Sequence, residues 1–218
     1  LKIECRMYFE PNKIYHIYNQ GNNRETVFFQ ERNYYYFLRK MERQLSPLVD
    51  FLAYCLMPNH FHWLVYTRPE ACLPCCAVKP RKRYLEREEA EPDRQQALCH
   101  AIGKLLSSYA RAINKQEGRS GSLFRKQTKA KNGWIDALIT VEGQYSELFF
   151  RPDNDYAIRC MRYIHWNPVA AGLVLRPEDW KFSSYRYYAG LQRRSLCKKR
   201  LARRLLGAEV VGGELFTT

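Results

Sequence analysis

Residues 49–66 constrain the fold more than any other part of the chain, because they have the pattern of a β-hairpin. Residues 49–57 are rich in aliphatic and aromatic side chains, Pro58-Asn59 follows as a tight turn, and residues 60–66 are again apolar and aromatic. Two such runs joined by two turn residues are typical of neighbouring antiparallel strands. The hairpin therefore supplies two strands of an antiparallel sheet.

The segments on either side of the hairpin add a strand and two helices. Residues 13–20 are rich in aromatic and β-branched types and end at Gly21, which predicts a first strand. Residues 33–45 have one apolar helical face, with Asn33 as the predicted N-cap. Residues 96–117 repeat apolar side chains at helical spacing, and the glycine that follows them is a common helix terminator.

The rest of the chain is less regular. Residues 68–95 contain four prolines among mixed charges, which predicts an irregular insertion. Residues 134–150 favour a helix, and residues 155–166 predict another that stops before Pro168. Short extended and aromatic pieces are expected over residues 173–189.

The order strand, helix, strand, strand, helix predicts an α+β fold, a ferredoxin-like antiparallel sheet with helices packed on one face. At 218 residues the chain is long enough for one catalytic domain of ordinary size. We predict a single domain over residues 1–189, interrupted by the insertion, and a basic C-terminal tail over residues 190–218.

The charge balance points to a polyanionic partner. Lys and Arg total 36 against 22 Asp and Glu, a formal net charge of +14, while a 46% hydrophobic fraction is enough to build a packed core. A folded chain with this excess most often neutralises phosphates, because displaced counterions supply affinity. Nucleic acid is therefore the expected partner.

Neither membrane insertion nor secretion is expected. No apolar run approaches the length of a bilayer span, and the first residues have no apolar signal core. We expect a cytoplasmic, nucleoid-associated protein.

The eight cysteines are mostly scattered, as small core residues of a reducing compartment are. Cys72, Cys75 and Cys76 form the one cluster, and with Cys99 and His100 downstream they could hold zinc. No second closely spaced pair follows at zinc-finger distance, so metal binding there stays an open alternative.

His60 and His62 are the first candidates for chemistry. On a strand they point to the same face, with Phe61 on the other, so the two imidazoles can share one divalent cation. The alternative is a pair of surface histidines on an exposed strand.

Tyr163 and Asn167 form a second pair, spaced i, i+4 on one helical face. The phenol could act as a nucleophile and the amide oxygen could reach the same metal. Alternatively, Tyr163 packs in a core and Asn167 caps the helix before Pro168. His165 lies about 200° around the helix from Tyr163 and is a weaker candidate for a proton acceptor.

Tyr109 is a rival nucleophile, because it also lies on a good helix. Its i+4 partner is Ile113, which cannot bind a metal.

Together, Pro58-Asn59-His60-Phe61-His62 and the distant Tyr163-Ile164-x-x-Asn167-Pro168-Val169 resemble the single-tyrosine HUH transposases, specifically the REP-associated tyrosine transposases. The resemblance runs from about residue 11 to residue 189. It also includes Gly21-Asn22-Asn23-Arg24, Gly121-Ser122-Leu123-Phe124 and Trp180-x-x-Ser183-Ser184-Tyr185.

The resemblance implies metal-dependent cutting and joining of single-stranded DNA, usually at hairpins of repeated extragenic palindromes, through a 5′-phosphotyrosine. It implies Mg²⁺ or Mn²⁺ and no nucleotide cofactor. His60 and His62 would be metal ligands, Tyr163 the nucleophile, and Asn167 the third ligand where related transposases carry glutamine. Residues 68–95 depart from the pattern. A monomer is favoured, although in related insertion-sequence enzymes the tyrosine helix can serve a partner's site.

Single-stranded DNA is held by cations on phosphates and by aromatic faces under bases. Trp134 and Tyr185 are stacking candidates, and residues 191–206 carry seven basic residues and no acidic one. The further phosphate-binding candidates are Arg24, Arg119, Arg125, Lys126, Lys129 and Lys131.

Three other functions are alternatives to DNA cutting. A hairpin-binding protein that no longer cuts would share the basic surface but need neither metal nor a reactive Tyr163. An RNA-end phosphoesterase with two histidines usually needs two separate His-x-Thr/Ser motifs, and His60-Phe61-His62 is not one. An oxygen-activating iron enzyme would want a carboxylate beside the histidines, and none is obvious.

Overall fold

A computed structural model of the chain describes residues 8–75, 95–132 and 155–207. These residues form one four-stranded sheet with helices on both of its faces. None of the described helices is long and apolar enough to cross a bilayer.

The sheet contains β1 (Ile14–Gln20), β2 (Val49–Met57), β3 (His60–Thr67) and β4 (Lys129–Asn132). Their order is β2-β3-β1-β4, and every neighbouring pair is antiparallel. β3 therefore lies between β1 and β2, as in a split β-α-β unit, and the predicted ferredoxin-like α+β class is confirmed. The sequence interpretation missed β4, because its Lys-Ala-Lys-Asn composition carries no apolar alternation.

Within the described residues, five α-helices accompany the sheet: α1 (Glu31–Leu45), α2 (Ala97–Gln116), α3 (Asp155–Ala170), α4 (Tyr185–Tyr188) and α5 (Lys199–Leu206). α1 and α2 pack on one face, as predicted. α3 packs on the opposite face, over β1, β2 and β3, so the expectation of helices on one face alone was incomplete.

The main core lies between the sheet and the pair α1–α2. Phe61 and Trp63 point from β3 into it, and their ring centroids lie 5.5 and 6.0 Å from that of Phe37 on α1. Tyr109 on α2 meets the same Phe37 ring edge-on at 4.8 Å. All four side chains are fully buried. Burial of such large rings is worth roughly 2–3 kcal/mol each, which makes this layer the main support of the sheet.

α1 begins two residues before the predicted N-cap. Gln30 is the cap, and Asn33 lies at the third helical position, where its side chain accepts the Gln30 backbone N–H at 2.9 Å. The expectation that Asn33 caps the helix was therefore wrong. Its amide completes a reciprocal capping box from inside the helix.

α3 continues past Pro168 to Ala170, so the prediction that it stops before the proline was wrong. The end is set by Gly172, whose φ of 66° is left-handed. Its N–H donates to the Val169 carbonyl, and the Leu173 N–H donates to the Pro168 carbonyl, each at 2.9 Å. This pair of bonds is a Schellman motif, and glycine decides where the helix ends because it adopts this conformation without strain.

The insertion begins with a 3-10 helix over Pro69–Cys72, and its two ends meet where Pro74 pairs with Gln96. The Gln96 side chain also exchanges two 2.7 Å hydrogen bonds with the backbone of Phe9. The predicted helix over residues 134–150, Trp134 and most of the insertion lie outside the described residues. The pieces expected over residues 173–189 are a 3-10 helix at Pro177–Asp179 and α4.

The outer edge of β2 is covered by the chain that follows α3. The Leu56 N–H donates to Phe182 at 3.0 Å, the Ser184 N–H to Tyr54 at 2.9 Å, and the Lys198 N–H to Phe51 at 2.8 Å. These bonds satisfy backbone groups that an open edge strand would expose. The basic segment predicted as a tail thus contains a packed helix, since α5 follows directly and buries Ala202 and Leu206.

The loop after β1 yields a stability prediction. A Cβ added at Gly21 would lie 2.1 Å from the Glu25 carbonyl oxygen, although the backbone angles of Gly21 suit any residue. We expect Gly21→Ala to lower the free energy of unfolding in urea by about 1–3 kcal/mol, because the loop must move to relieve the overlap. Asn23→Gly, at a left-handed residue in the same loop, should cause no loss. Equal urea midpoints for Gly21→Ala and the wild type would contradict the close approach.

Candidate active site

The candidate site lies on the sheet face that α3 covers. Cross-strand pairing places Tyr18 opposite His62 and Gln20 opposite His60. Because paired residues share a face, the side chains of His60, His62 and Tyr18 emerge together. The ring centroids of His60 and His62 are 5.0 Å apart and nearly perpendicular, close enough for both imidazoles to reach one cation.

His62 is buried and holds one nitrogen without a partner. Its Nδ1 lies 3.0 Å from Nε2 of His16, whereas its Nε2 has no hydrogen-bond partner among the described residues. Burial, with smaller contributions from His16 and His60, holds the pKa of His62 well below 6.5. The ring is therefore neutral at neutral pH, with a nitrogen available to a ligand.

His60 is oriented by its neighbour in the turn. Its Nδ1 lies 2.6 Å from the side-chain oxygen of Asn59, and the Asn59 amide nitrogen donates to the Arg24 carbonyl at 3.3 Å. Because an amide oxygen only accepts, Nδ1 of His60 carries the proton and Nε2 keeps its lone pair. Burial lowers the pKa of His60 to about 4, against the opposing effect of a hydrogen bond with Asn167.

Tyr163 approaches the histidines from α3. Its ring centroid lies 5.2 Å from that of His62 and 6.2 Å from that of His16, edge-on in both cases. Burial raises the pKa of the Tyr163 hydroxyl, and a hydrogen bond from Asn167 lowers it in part. The phenol is thus half-buried, and the amide one turn later is its polar partner.

The structure brings together the four residues predicted for the site, His60, His62, Tyr163 and Asn167. Asn167 lies inside α3 rather than at its end, and its side chain acts on both neighbours, raising the pKa of His60 and lowering that of Tyr163. The alternative in which Asn167 only caps the helix does not describe this arrangement. The alternative of two exposed surface histidines fails as well, because His62 is only 5% exposed.

Sequence reasoning missed His16 and Tyr18. The His16 ring lies 5.1 Å from that of His62, and the Tyr18 ring lies 5.7 Å from it. Alternation along β1 places these two residues on one face, but only the register between β1 and β3 shows that they meet His62. His16 is a positioning residue: its Nε2 contacts Nδ1 of His62, and burial lowers its own pKa to about 4.

His165 has a structural role and does not lie beside the Tyr163 phenol. Its Nε2 lies 2.8 Å from the Ser184 hydroxyl, which also accepts the Tyr54 N–H at 2.9 Å and donates to the Tyr54 carbonyl at 3.2 Å. These bonds fasten α3 to the edge of β2 and thereby set the position of Tyr163 over the sheet. Burial lowers the pKa of His165 to about 3.

Two aromatic candidates lie elsewhere. Tyr109 belongs to the core on the opposite face of the sheet, where its hydroxyl donates to the Val27 carbonyl at 2.8 Å. Its pKa is raised by burial, so it is a poor nucleophile. Tyr185 packs against His165 at 5.6 Å and is buried, so the expectation that it offers a free stacking face was wrong.

Two of the predicted phosphate-binding residues lie on the site face. Lys129 pairs with Tyr18 and Lys131 with His16 across the β1–β4 ladder. The positive charge of Lys131 contributes to the lowered pKa of His16, which places it beside the histidines. A phosphate approaching the site would meet these lysines.

The remaining basic candidates lie at the end of the sheet. Arg24, Arg125 and Lys126 are exposed there, beside the turn that carries Asn59 and the end of β1. Arg119 differs from them because it forms an ion pair with Glu25. Arg119 stays a candidate for phosphate binding, and a phosphate there would compete with the Glu25 carboxylate.

The residues present fit a divalent cation. Within residues 8–75, 95–132 and 155–207, no three His, Cys, Asp or Glu side chains gather closely enough to hold a metal, Cys72 and Cys75 included. The donors on α3 and β3 are instead two imidazole nitrogens and one amide oxygen. Imidazole suits first-row transition ions and amide oxygen suits Mg²⁺ or Mn²⁺, and the buried unpaired Nε2 of His62 is the nitrogen that such an ion would satisfy.

Comparison with known proteins bears on the fold. No protein-family profile matches the sequence, and no curated protein matches it. Among solved structures, the chain is similar to a REP-associated tyrosine transposase bound to a REP hairpin, with a TM-score of 0.52 and 18% sequence identity over 87% of each chain. The chain thus has the fold of a REP-associated tyrosine transposase, which confirms at the level of fold the resemblance seen in the sequence motifs.

The buried His165 makes stability depend on pH in a defined direction. Its pKa is about 3 when folded against 6.5 for an ordinary histidine, so the unfolded chain binds one more proton between these values. Stability is full above about pH 6.5 and falls below it by about 1.4 kcal/mol per pH unit. We expect His165→Gln, which can still hydrogen-bond to Ser184, to lack this contribution. Urea unfolding between about pH 6 and pH 5 measures it, and parallel curves for both proteins would contradict the assignment.

Proposed function

We propose that this chain cuts and rejoins single-stranded DNA at hairpins, with Tyr163 as the nucleophile. The observation that carries the proposal is the approach of the Tyr163 ring to within 5.2 Å of the His62 ring, which itself lies 5.0 Å from the His60 ring. The site combines a phenol, two neutral imidazoles and an amide, and the same sheet face also carries lysines. These groups form a suitable set for phosphoryl transfer.

Tyr163 would attack the scissile phosphorus in line. A bond forms between the phenolic oxygen and the 5′-phosphate, the bond to the 3′-oxygen breaks, the phenol loses its proton, and the leaving oxygen becomes a 3′-hydroxyl. Rejoining is the reverse attack by a 3′-hydroxyl on the phosphotyrosine. Because the ester bond is exchanged rather than hydrolysed, no ATP is needed.

The residues around Tyr163 prepare this step. Burial keeps the phenol protonated in the resting protein, and the hydrogen bond from Asn167 favours its ionised form. His60, His62 and Asn167 would hold Mg²⁺ or Mn²⁺, and a divalent cation supplies polarisation of the phosphate and charge stabilisation of the leaving oxygen. Asn59 and His16 keep the two imidazoles in the required orientation.

Hairpin DNA is the substrate that the surroundings favour. The protein of similar fold is bound to a REP hairpin. In this chain Lys129 and Lys131 share the face of the histidines, and Arg24 and Arg125 lie at the end of the sheet where His60 begins β3. These side chains can carry the phosphates of a strand that leads into the site.

The first test is capture of the covalent intermediate. Labelled single-stranded hairpin DNA, incubated with protein and Mn²⁺, should give an adduct on a denaturing gel that is absent with EDTA. Tyr163→Phe should abolish it, because the phenolic oxygen is the attacking atom. Tyr109→Phe is the matched control and should keep the adduct, since Tyr109 lies in the opposite core.

Two results would contradict the assignment. An adduct that survives in Tyr163→Phe would place the nucleophile elsewhere. Tight hairpin binding with no adduct under Mg²⁺ or Mn²⁺ would identify a DNA-binding protein that does not cut.

His16 offers a test of the cation site that does not depend on activity. His16→Leu removes the group that faces Nδ1 of His62, so the ring loses its fixed tautomer, whereas Gln at this position still offers an accepting oxygen. We expect Mn²⁺ affinity, measured by electron paramagnetic resonance of the free ion, to fall about 10–100-fold in His16→Leu and less in His16→Gln. Equal affinities in all three proteins would exclude this role.

A further inference from the structure

α5 and the chain that leads into it present a concentrated positive surface. Residues 191–206 contain no acidic residue. Within the part of the chain that the structure describes, no acidic side chain forms an ion pair with the exposed basic residues here. We call this surface the α5 basic face; its exposed members are Arg193, Arg194, Lys198, Arg200, Arg203 and Arg204.

The opposite side of α5 is anchored, so the charges have a fixed place. Ala202 and Leu206 are buried, and Lys199 donates to the Tyr188 carbonyl at 3.0 Å. The Lys198 N–H pairs with β2 at the Phe51 carbonyl. Holding like charges together costs free energy through mutual repulsion, and an anionic partner offsets that cost.

The α5 basic face is joined to the helix that carries Tyr163. The Tyr188 ring lies 5.6 Å from the His165 ring on α3, and Lys199 lies 5.9 Å from the same Tyr188 ring. α3, α4 and α5 therefore form a connected layer along the β2 edge. A partner bound at α5 would be held at a defined distance from the candidate site.

The α5 basic face and the histidines lie at different points along β2. α5 meets β2 at Phe51, whereas His60 pairs with Met57 six residues further along the strand. Six residues of β-strand span about 20 Å. A nucleic acid that contacts both places must therefore extend about 20 Å along this edge.

From the charge of this face and its place on the β2 edge, we propose that the α5 basic face binds the phosphate backbone of the double-stranded hairpin stem, while the strand that is cut occupies the candidate site. The inference rests on the hairpin substrate of the proposed function and adds a second, duplex-binding surface to it. Five of the six exposed side chains are arginines, whose planar guanidinium groups bind phosphate oxygens in pairs. Contacts of this kind set position and affinity, not base sequence.

The test compares two triple charge reversals. Arg200→Glu/Arg203→Glu/Arg204→Glu removes the centre of the α5 basic face. Lys104→Glu/Arg111→Glu/Lys115→Glu is the matched control, because these exposed side chains lie on α2, on the other face of the sheet. Both variants change the net charge equally.

Fluorescence anisotropy would measure binding to a DNA hairpin with a single-stranded 5′ extension and to the extension alone, over a range of salt concentrations. The α5 variant should bind the hairpin at least about tenfold more weakly than the wild type does. The slope of log affinity against log salt concentration should be smaller by about 3. Its affinity for the extension alone should equal that of the wild type. The α2 control variant should bind the hairpin and the extension with the same affinities as the wild type. The neutral Arg200→Gln/Arg203→Gln/Arg204→Gln, with circular dichroism to check folding, should show the same loss to a smaller degree.

Unchanged hairpin affinity in the α5 variants, or an equal loss in the control, would overturn the inference. Tighter binding of an RNA hairpin of the same sequence, lost in the α5 variant, would overturn the assignment to DNA. Adduct formation on the hairpin DNA, scored on a denaturing gel, reports on the proposed chemistry separately. If no adduct forms while only the α5 variant loses hairpin affinity, the proposed cutting fails and the duplex surface stands.

Discussion

The register of β3 against β1 is the constraint on which the rest of this structure depends. One face of β3 sends Phe61 and Trp63 into the apolar core, and the other sends His60 and His62 towards α3. A slip of one residue would exchange the faces, burying imidazoles among aromatic rings and removing the core's largest side chains. The aromatic layer therefore fixes the strand, and the strand places the two histidines side by side.

The tyrosine helix is placed by a separate set of contacts, at the β2 edge. Ser184 uses its whole hydrogen-bonding capacity there, accepting from Tyr54 and His165 and donating back to Tyr54. His165 and Tyr163 leave α3 in different directions, so the first can be locked to the edge while the second reaches the sheet face. The site thus forms between β3 and α3, and each of these elements is held in place by its own set of contacts.

What the sequence could predict follows from how local each feature is. Alternation within one hairpin was enough to place His60 and His62 on a common face, and i, i+4 spacing was enough to pair Tyr163 with Asn167. His16 lies 46 residues from His62 in sequence, and their contact exists only through strand pairing. The end of α3 was mispredicted because Gly172, not Pro168, ends the helix. β4 has no apolar pattern of its own, so only its pairing with β1 identifies it as a strand.

Nε2 of His62 is one of seven buried side-chain polar atoms, Nδ1 of His16 among them, that have no hydrogen-bond partner within the described residues. A buried polar atom without a partner costs about 1–3 kcal/mol, and an aliphatic side chain at this position would avoid that cost. Two residues, Asn59 and His16, nevertheless engage the Nδ1 atoms of His60 and His62 and leave the Nε2 atoms directed elsewhere. A pair of neutral imidazoles oriented in this way beneath a half-buried phenol stabilises little in the free protein. The proposed divalent cation would account for this arrangement, because it would pair with the Nε2 atom of His62.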